Sequence, residues 1–87
     1  MKAERWGTFS LRDQYGHIAA ELTRSRTAAG DEALRRALLE RALELIDLTL
    51  ADPRRREGAL QFLTLRELVA RAYVGETTAL DLALAAL

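Results

Sequence analysis

The chain has 87 residues with 13 basic and 13 acidic side chains, so its formal net charge is zero. This length corresponds to one domain, and 49% hydrophobic with 30% charged residues is typical of a folded globular chain. The lack of a basic excess argues against general nucleic-acid binding, because phosphate neutralisation provides most of the affinity of such proteins. The chain has no cysteine, which excludes disulfides and thiolate metal sites.

The N-terminal segment is predicted to be an irregular arm over residues 1–9. Its sequence MKAERWGTFS lacks the apolar core of a signal peptide, and no apolar run in the chain approaches the roughly 20 residues that span a bilayer. We therefore expect a cytoplasmic protein. Trp6 and Phe9 are two of only five aromatic residues, so we expect the arm to bend at Gly7 and fold back onto the rest of the domain.

The first long helix is predicted over residues 10–29. Ser10 is the expected N-cap, because the acidic Asp13 follows it three residues later in the pattern of a capping box. Gly30 is expected to end the helix in the left-handed conformation that glycine tolerates. One face repeats residues at three- and four-residue spacing, namely Leu11, Tyr15, Ile18, Ala19, Leu22 and Arg26.

The second helix is predicted over residues 31–51, with Asp31 as its N-cap. Its connection to the first helix is very short, which favours antiparallel neighbours. Its apolar residues extend well beyond one stripe, so we expect other elements to cover it on two sides. They are Leu34, Ala37, Leu38, Leu39, Ala42, Leu43, Leu45, Ile46, Leu48, Thr49 and Leu50.

The third helix is predicted over residues 53–74. Asp52 ends the preceding helix, because a residue before proline avoids the α region, and it can cap the new one. Pro53 suits the first position of a helix, and Gly75 is the expected stop. Two groups of residues mark its faces: Leu60, Leu63, Leu68 and Ala72 on one side, and Phe62, Leu65, Val69 and Tyr73 on the other.

A short last helix is predicted over residues 78–87, where Thr78 and Asp81 form the outline of another capping box. No segment has the period-two pattern or the hairpin turn of a β-strand pair. The sequence therefore predicts an all-α fold, in which three long helices and a short C-terminal helix form an antiparallel bundle. Residues 1–87 are expected to make a single domain.

One short motif resembles a catalytic signature. Arg12 and His17 are separated by four residues on a predicted helix, and Asp13 follows the arginine. This pattern is similar to the signature of HEPN-domain ribonucleases, which are small helical bundles, often dimeric and often part of toxin–antitoxin pairs. The resemblance implies metal-independent RNA cleavage, with His17 as acid or base and Arg12 as electrostatic stabiliser. The alternative is a helix histidine that is partly buried and bonded to a neighbour.

The first helix pair resembles a single tetratricopeptide unit. The turn at Gly30-Asp31, then Leu39 and the segment Arg41-Ala-Leu-Glu-Leu45, are similar to the turn and second helix of that repeat. No second copy follows at the repeat period, so the resemblance implies a helical hairpin and not a solenoid. Over residues 8–75 the chain also looks like small uncharacterised bacterial helical proteins, a likeness that implies a fold and no mechanism.

Arg54, Arg55 and Arg56 form the one basic run. Three adjacent guanidinium groups can bind phosphate, so they are the candidate nucleic-acid contacts. The alternative is a solvated loop, which is the usual role of a charge run.

The C-terminal helix carries the candidate protein interface. From Leu80 onwards only Asp81 is charged, and Leu80, Leu84 and Leu87 offer more apolar surface than a monomer usually exposes. Either this tail closes the bundle, or it packs against a second chain. We expect a non-catalytic interaction or oligomerisation module, a homodimer or the partner of another protein, with no cofactor or metal and with the ribonuclease as the alternative.

Overall fold

The computed structural model describes residues 2–87, of which most are helical and none is in a β-strand. The predicted all-α bundle is therefore confirmed. The helices are α1 (Ala3–Trp6), α2 (Leu11–Thr27), α3 (Glu32–Leu50), α4 (Ala59–Tyr73) and α5 (Thr77–Ala85), with a 3-10 turn at Pro53–Arg55 between α3 and α4.

Helix α3 lies at the centre of the packing, because it contacts both α2 and α4. Helix α5 packs against α4 and also contacts α2, so it closes the other side of the bundle. Other helices therefore cover α3 on two sides, as its wide apolar face predicts. The core consists of Trp6, Ile18, Leu22, Leu39, Ala42, Leu45, Ile46, Phe62, Leu65, Val69, Ala72, Ala79, Leu80 and Ala83.

Two of the predicted N-caps form as expected. The Ser10 hydroxyl accepts a hydrogen bond from the backbone N–H of Asp13 at 3.1 Å, and the Asp31 carboxylate accepts one from Leu34 at the same distance. The predicted role of Gly30 is wrong. Helix α2 ends earlier, and the Asp31 N–H donates to the Ala28 carbonyl, so this turn closes without a left-handed residue.

The start of α4 differs from the prediction. Pro53 opens a 3-10 turn and not the α-helix, because the Asp52 carboxylate accepts the N–H of Arg54, only two residues away. The chain then reverses at Gly58, which has a φ of 84°, before α4 begins. Gly75 ends α4 as predicted: its φ is 113°, and the hydrogen bonds Gly75 to Ala72 and Glu76 to Arg71 form a Schellman motif.

The start of α5 also departs from the sequence prediction. The helix begins at Thr77 and no side chain caps it, so the predicted capping box of Thr78 and Asp81 does not form. Asp81 instead forms an ion pair with Arg26 of α2. A carboxylate that can reach a guanidinium on a packed neighbouring helix is drawn away from the local backbone.

The N-terminal arm folds onto the bundle, as its aromatic residues predict, but it is not irregular. Ala3–Trp6 form the short α1, which packs against α3. The Trp6 side chain is almost completely buried, and its indole N–H donates to the Thr49 hydroxyl at 3.0 Å. This anchor gives the arm a fixed position.

Candidate protein-interaction surface

Within residues 2–87, four large hydrophobic side chains are more than half exposed: three lie on the outer side of α4 or just after its end, and the fourth is Leu82 of α5, at 58%. Leu60 is 75% exposed, Leu63 is 52% exposed and Val74 is 77% exposed. With Glu67 and Ala70 these residues follow one another at alternating spacings of three and four. We call these five residues the outer seam of α4. The opposite side of the helix carries the buried Phe62, Leu65, Val69 and Ala72.

An open groove of about 350 Å³ lies next to Leu60, at the N-terminal end of the outer seam. Tyr15 of α2 stacks on Phe62 of α4 with ring centres 5.0 Å apart, so these two side chains connect the helices here. Helix α5 is shorter than α4, and Ala86, just after its end, lies at one side of the groove. Its lining is Tyr15, Leu60, Gln61, Thr64, Leu65 and Ala86.

Ion pairs fix the charged side chains that flank the seam. Arg66 donates to Asp47 of α3 at 2.6 Å, and Arg71 lies 3.3 Å from Glu67 within α4. Such exposed pairs add little stability. They do place the guanidinium groups of Arg66 and Arg71 beside the exposed leucines.

Tyr73 is held on the α3 side of α4 by its hydroxyl, which donates to Glu40 at 2.8 Å. This hydrogen bond to a carboxylate raises the pKa of the Tyr73 phenol above its usual value. The guanidinium of Arg36 lies over the same ring at 5.7 Å. The polar border of the α4 surface is therefore ordered by α3.

The C-terminal residues predicted as an interface are divided between the core and the surface. Leu80 is buried within its own chain, Leu84 is half-buried, and Leu87 is partly exposed at 37%. The buried face of α5, Ala79, Leu80 and Ala83, packs inward. Leu80 thus belongs to the core of its own chain, whereas Leu82 of the same helix is 58% exposed and Leu87 lies at the surface.

Arg12 and His17 border one shallow, open depression on α2, together with Asp13, Gly16 and Ala20. All five residues belong to the same helix, so no second element shapes this surface. The His17 ring packs against Phe9 with ring centres 4.9 Å apart and against Trp6 at 5.7 Å. His17 is exposed and not partly buried, and its contacts are with the N-terminal arm.

The basic run is largely engaged within the fold. Arg54 donates to the Asp52 carboxylate at 2.7 Å and to the Phe9 carbonyl at 2.7 Å, and Arg55 donates to the Gln14 side-chain oxygen at 2.8 Å. Arg56 is exposed. The first two guanidinium groups join the arm, α2 and the 3-10 turn, so they do not form an open phosphate-binding row with Arg56.

A buried polar cluster at this end of the bundle was not predicted. The Gln14 amide donates to the Trp6 carbonyl at 3.0 Å and to the Asp52 carboxylate at 3.1 Å. Hydrogen bonds from the guanidinium of Arg54 hold the pKa of the Asp52 carboxyl well below its usual range. Gln14 lies four residues before Ile18 on the buried face of α2, and this spacing was the one sequence signal that the Gln14 side chain would be buried.

Comparison with protein-family models, curated proteins and solved structures gave no match. The resemblances to HEPN ribonucleases and to a tetratricopeptide hairpin accordingly rest on the quoted residues alone. Within residues 2–87, none of the helices combines the length and the apolar character needed to cross a membrane.

Proposed function

We propose that this protein is a non-catalytic interaction domain that self-associates through the outer seam of α4. The observation that supports the proposal is the exposure of Leu60 and Leu63, which lie three residues apart, with Leu60 also lining an open groove. Single exposed leucines are common on monomers, but adjacent ones bordering a concave surface are typical of interaction sites.

The proposal keeps the role predicted from the sequence, self-association, but places the interface on α4 instead of α5. The sequence indicated the C-terminal helix as the interface, yet Leu80 is used in the core. Leu60 and Leu63 remain outside it, because the buried face of α4 follows a different set of positions. Burying a leucine side chain that is exposed in the monomer contributes about 1.5–3 kcal/mol, so a few such residues support a reversible dimer and not an obligate one.

The test is sedimentation velocity over roughly 1–200 µM protein, a range chosen to cover weak dimers. We expect a concentration-dependent rise towards dimer for the wild type and loss of that rise in Leu60→Glu. Leu34→Glu is the matched control, because Leu34 is also exposed, at 48%, and both substitutions place a carboxylate in the first turn of a helix. A wild type that stays monomeric throughout contradicts the proposal.

A second candidate function is metal-independent RNA cleavage by Arg12 and His17. The observation that favours it is that both side chains border the same open depression, where a phosphodiester has access. We expect RNA cleavage in the presence of a chelator that is lost in His17→Ala, with an unchanged circular dichroism spectrum. Equal cleavage by the wild type and His17→Ala would rule out this function.

A further inference from the structure

We propose that a pocket at the junction of α2, α3, α4 and α5 binds a small aliphatic α-amino acid in its zwitterionic form. The pocket lies where the ends of α2 and α4 meet the starts of α3 and α5, and its volume is about 220 Å³. Side chains from all four helices line this junction pocket, among them Ser25, Arg26, Arg35, Ala72, Leu80 and Asp81. Its volume is below the roughly 300–1,000 Å³ of sites for drug-sized ligands, so it suits a molecule of amino-acid size.

Opposite charges face each other at the junction pocket. Arg26 of α2 lies 2.5 Å from Asp81 of α5, and these side chains are 56% and 63% exposed. An ion pair this exposed contributes little to stability, so a ligand can displace one partner from the other. A ligand with a single charge would leave Arg26 or Asp81 without its partner. A zwitterion places a carboxylate on Arg26 and an ammonium on Asp81, so each charge keeps an opposite one.

Arg35 and Ser25 differ in what they can offer a ligand. Arg35 is only 13% exposed, and its guanidinium donates to the Ala72 carbonyl at 2.8 Å and to the Glu32 carboxylate at 2.6 Å. It therefore stays part of the wall. Ser25 is completely buried, and its hydroxyl donates to the Leu22 carbonyl at 2.7 Å. A hydroxyl that donates can still accept a hydrogen bond, so Ser25 offers the ammonium a second acceptor.

The apolar part of the wall selects an aliphatic side chain. It consists of Ala29, Ala72 and Leu80, and the last two belong to the core. Because two of these three residues are alanines, their short side chains leave room for a branched chain such as that of leucine. A polar side chain would lose its hydration on this surface without gaining a hydrogen bond. We therefore expect free leucine, isoleucine and valine to bind better than glycine, serine or glutamate.

The probe is free L-leucine, added to isotope-labelled protein up to roughly 20 mM, a range that covers weak binding, while NMR follows the backbone amides. We expect saturable shifts around Ser25, Ala72 and Asp81, with a Kd of about 1 mM. Two analogues share the carbon skeleton of leucine and lack one charge: isocaproate has no ammonium, and isoamylamine has no carboxylate. Each analogue should bind about ten-fold more weakly than leucine.

Single variants test the assigned contacts. Arg26→Gln and Asp81→Asn should each weaken leucine binding about ten-fold, and Ala29→Leu, which fills the pocket, should abolish the shifts. Arg24→Gln is the matched control, because Arg24 also lies in the last turn of α2 and pairs with an acidic residue, Glu21, but does not line the pocket. This control should bind leucine like the wild type. The amide spectrum of each variant without leucine is compared with that of the wild type to verify the fold.

The outcomes separate the site from its ligand class. Leucine shifts that rise linearly to the highest concentration, or that spread over the whole surface, overturn the site. Equal binding of leucine and isocaproate overturns the choice of a zwitterion, and an unchanged affinity in Arg26→Gln overturns the contact assigned to that residue. The junction pocket shares no residue with the outer seam of α4, so these results do not depend on whether the protein self-associates.

Discussion

The hydrogen bond between Trp6 and Thr49 should make these two residues energetically dependent on each other. The indole N–H of Trp6 donates to the Thr49 hydroxyl at 3.0 Å, and that hydroxyl donates to the Leu45 carbonyl at 2.8 Å. Both residues are essentially inaccessible to water. The perturbation is a double-mutant cycle of Trp6→Phe and Thr49→Val.

The expected magnitudes follow from which polar group each substitution leaves unpaired. Thr49→Val leaves the indole N–H buried without its acceptor, which costs about 1–3 kcal/mol of unfolding free energy. Trp6→Phe leaves the Thr49 hydroxyl bonded to Leu45 and costs about 2–3 kcal/mol, from the lost bond and the vacated volume. With Thr49→Val already present, Trp6→Phe also removes the unpaired donor, so it should cost about 1–2 kcal/mol less.

Urea denaturation followed by circular dichroism at 222 nm measures these free energies. The control cycle pairs Trp6→Phe with Thr64→Val. The Thr64 hydroxyl likewise donates to the carbonyl four residues earlier, at Leu60, but it is exposed and bonds to no indole. We expect additivity in the control within about 0.5 kcal/mol. Equal additivity in the Thr49 cycle would refute the argument that this hydrogen bond anchors the arm.

Three further predictions concern stability. Asp52→Asn should lower the unfolding free energy by about 2 kcal/mol at pH 7. Because Arg54 lowers the pKa of the Asp52 carboxyl in the folded state, the stabilisation is complete above the unfolded pKa of about 3.9 and is lost as the pH falls below it. Denaturation of Asp52→Asn and the wild type from pH 7 to 2 should therefore show convergence at acid pH, and a constant difference would contradict this account. Gly75→Ala should lower the unfolding free energy by about 1–2 kcal/mol, because the φ of 113° at this position strains any side chain. Gly16→Ala, on the open face of α2, should raise the unfolding free energy by up to about 1 kcal/mol. A thermal unfolding measurement in which Gly16→Ala is the less stable variant would contradict these expectations. Asp31→Ala should cost about 1 kcal/mol in a urea melt through loss of the α3 cap, and an unchanged midpoint would contradict that role.

Local sequence signals predicted those parts of the fold that depend on neighbours in the chain. The hydroxyl of Ser10 and the carboxylate of Asp31 cap their helices through bonds to the third residue on. Gly75 adopts the left-handed conformation expected at a helix end. These interactions need only a few consecutive residues, so composition and spacing are sufficient to identify them.

Partners distant in the sequence account for the main differences. Asp81 had the spacing of a capping residue, but its carboxylate pairs with Arg26, 55 residues earlier. Gln14, Asp52 and Arg55 form a buried cluster across separations of 38 and 41 residues. A hydropathy pattern predicts that such polar residues are exposed. Only the packing of α2 against the 3-10 turn brings them together.

The location of the candidate interface depended on a similar long-range effect. The apolar composition of α5 predicted more hydrophobic surface than a monomer usually exposes, but composition does not specify which side chains a neighbour covers, and Leu82 of α5 is 58% exposed. In the fold, Leu80 packs into the core, while Leu60 and Leu63 lie on the outside of α4. The sequence assigned both leucines of α4 to a face of that helix, and whether a face is covered is decided by the helices beside it. Although α3 and α5 pack against α4, its outer seam stays exposed. Under the proposed function, substitutions in the seam should change association, while changes at Leu80 should change folding.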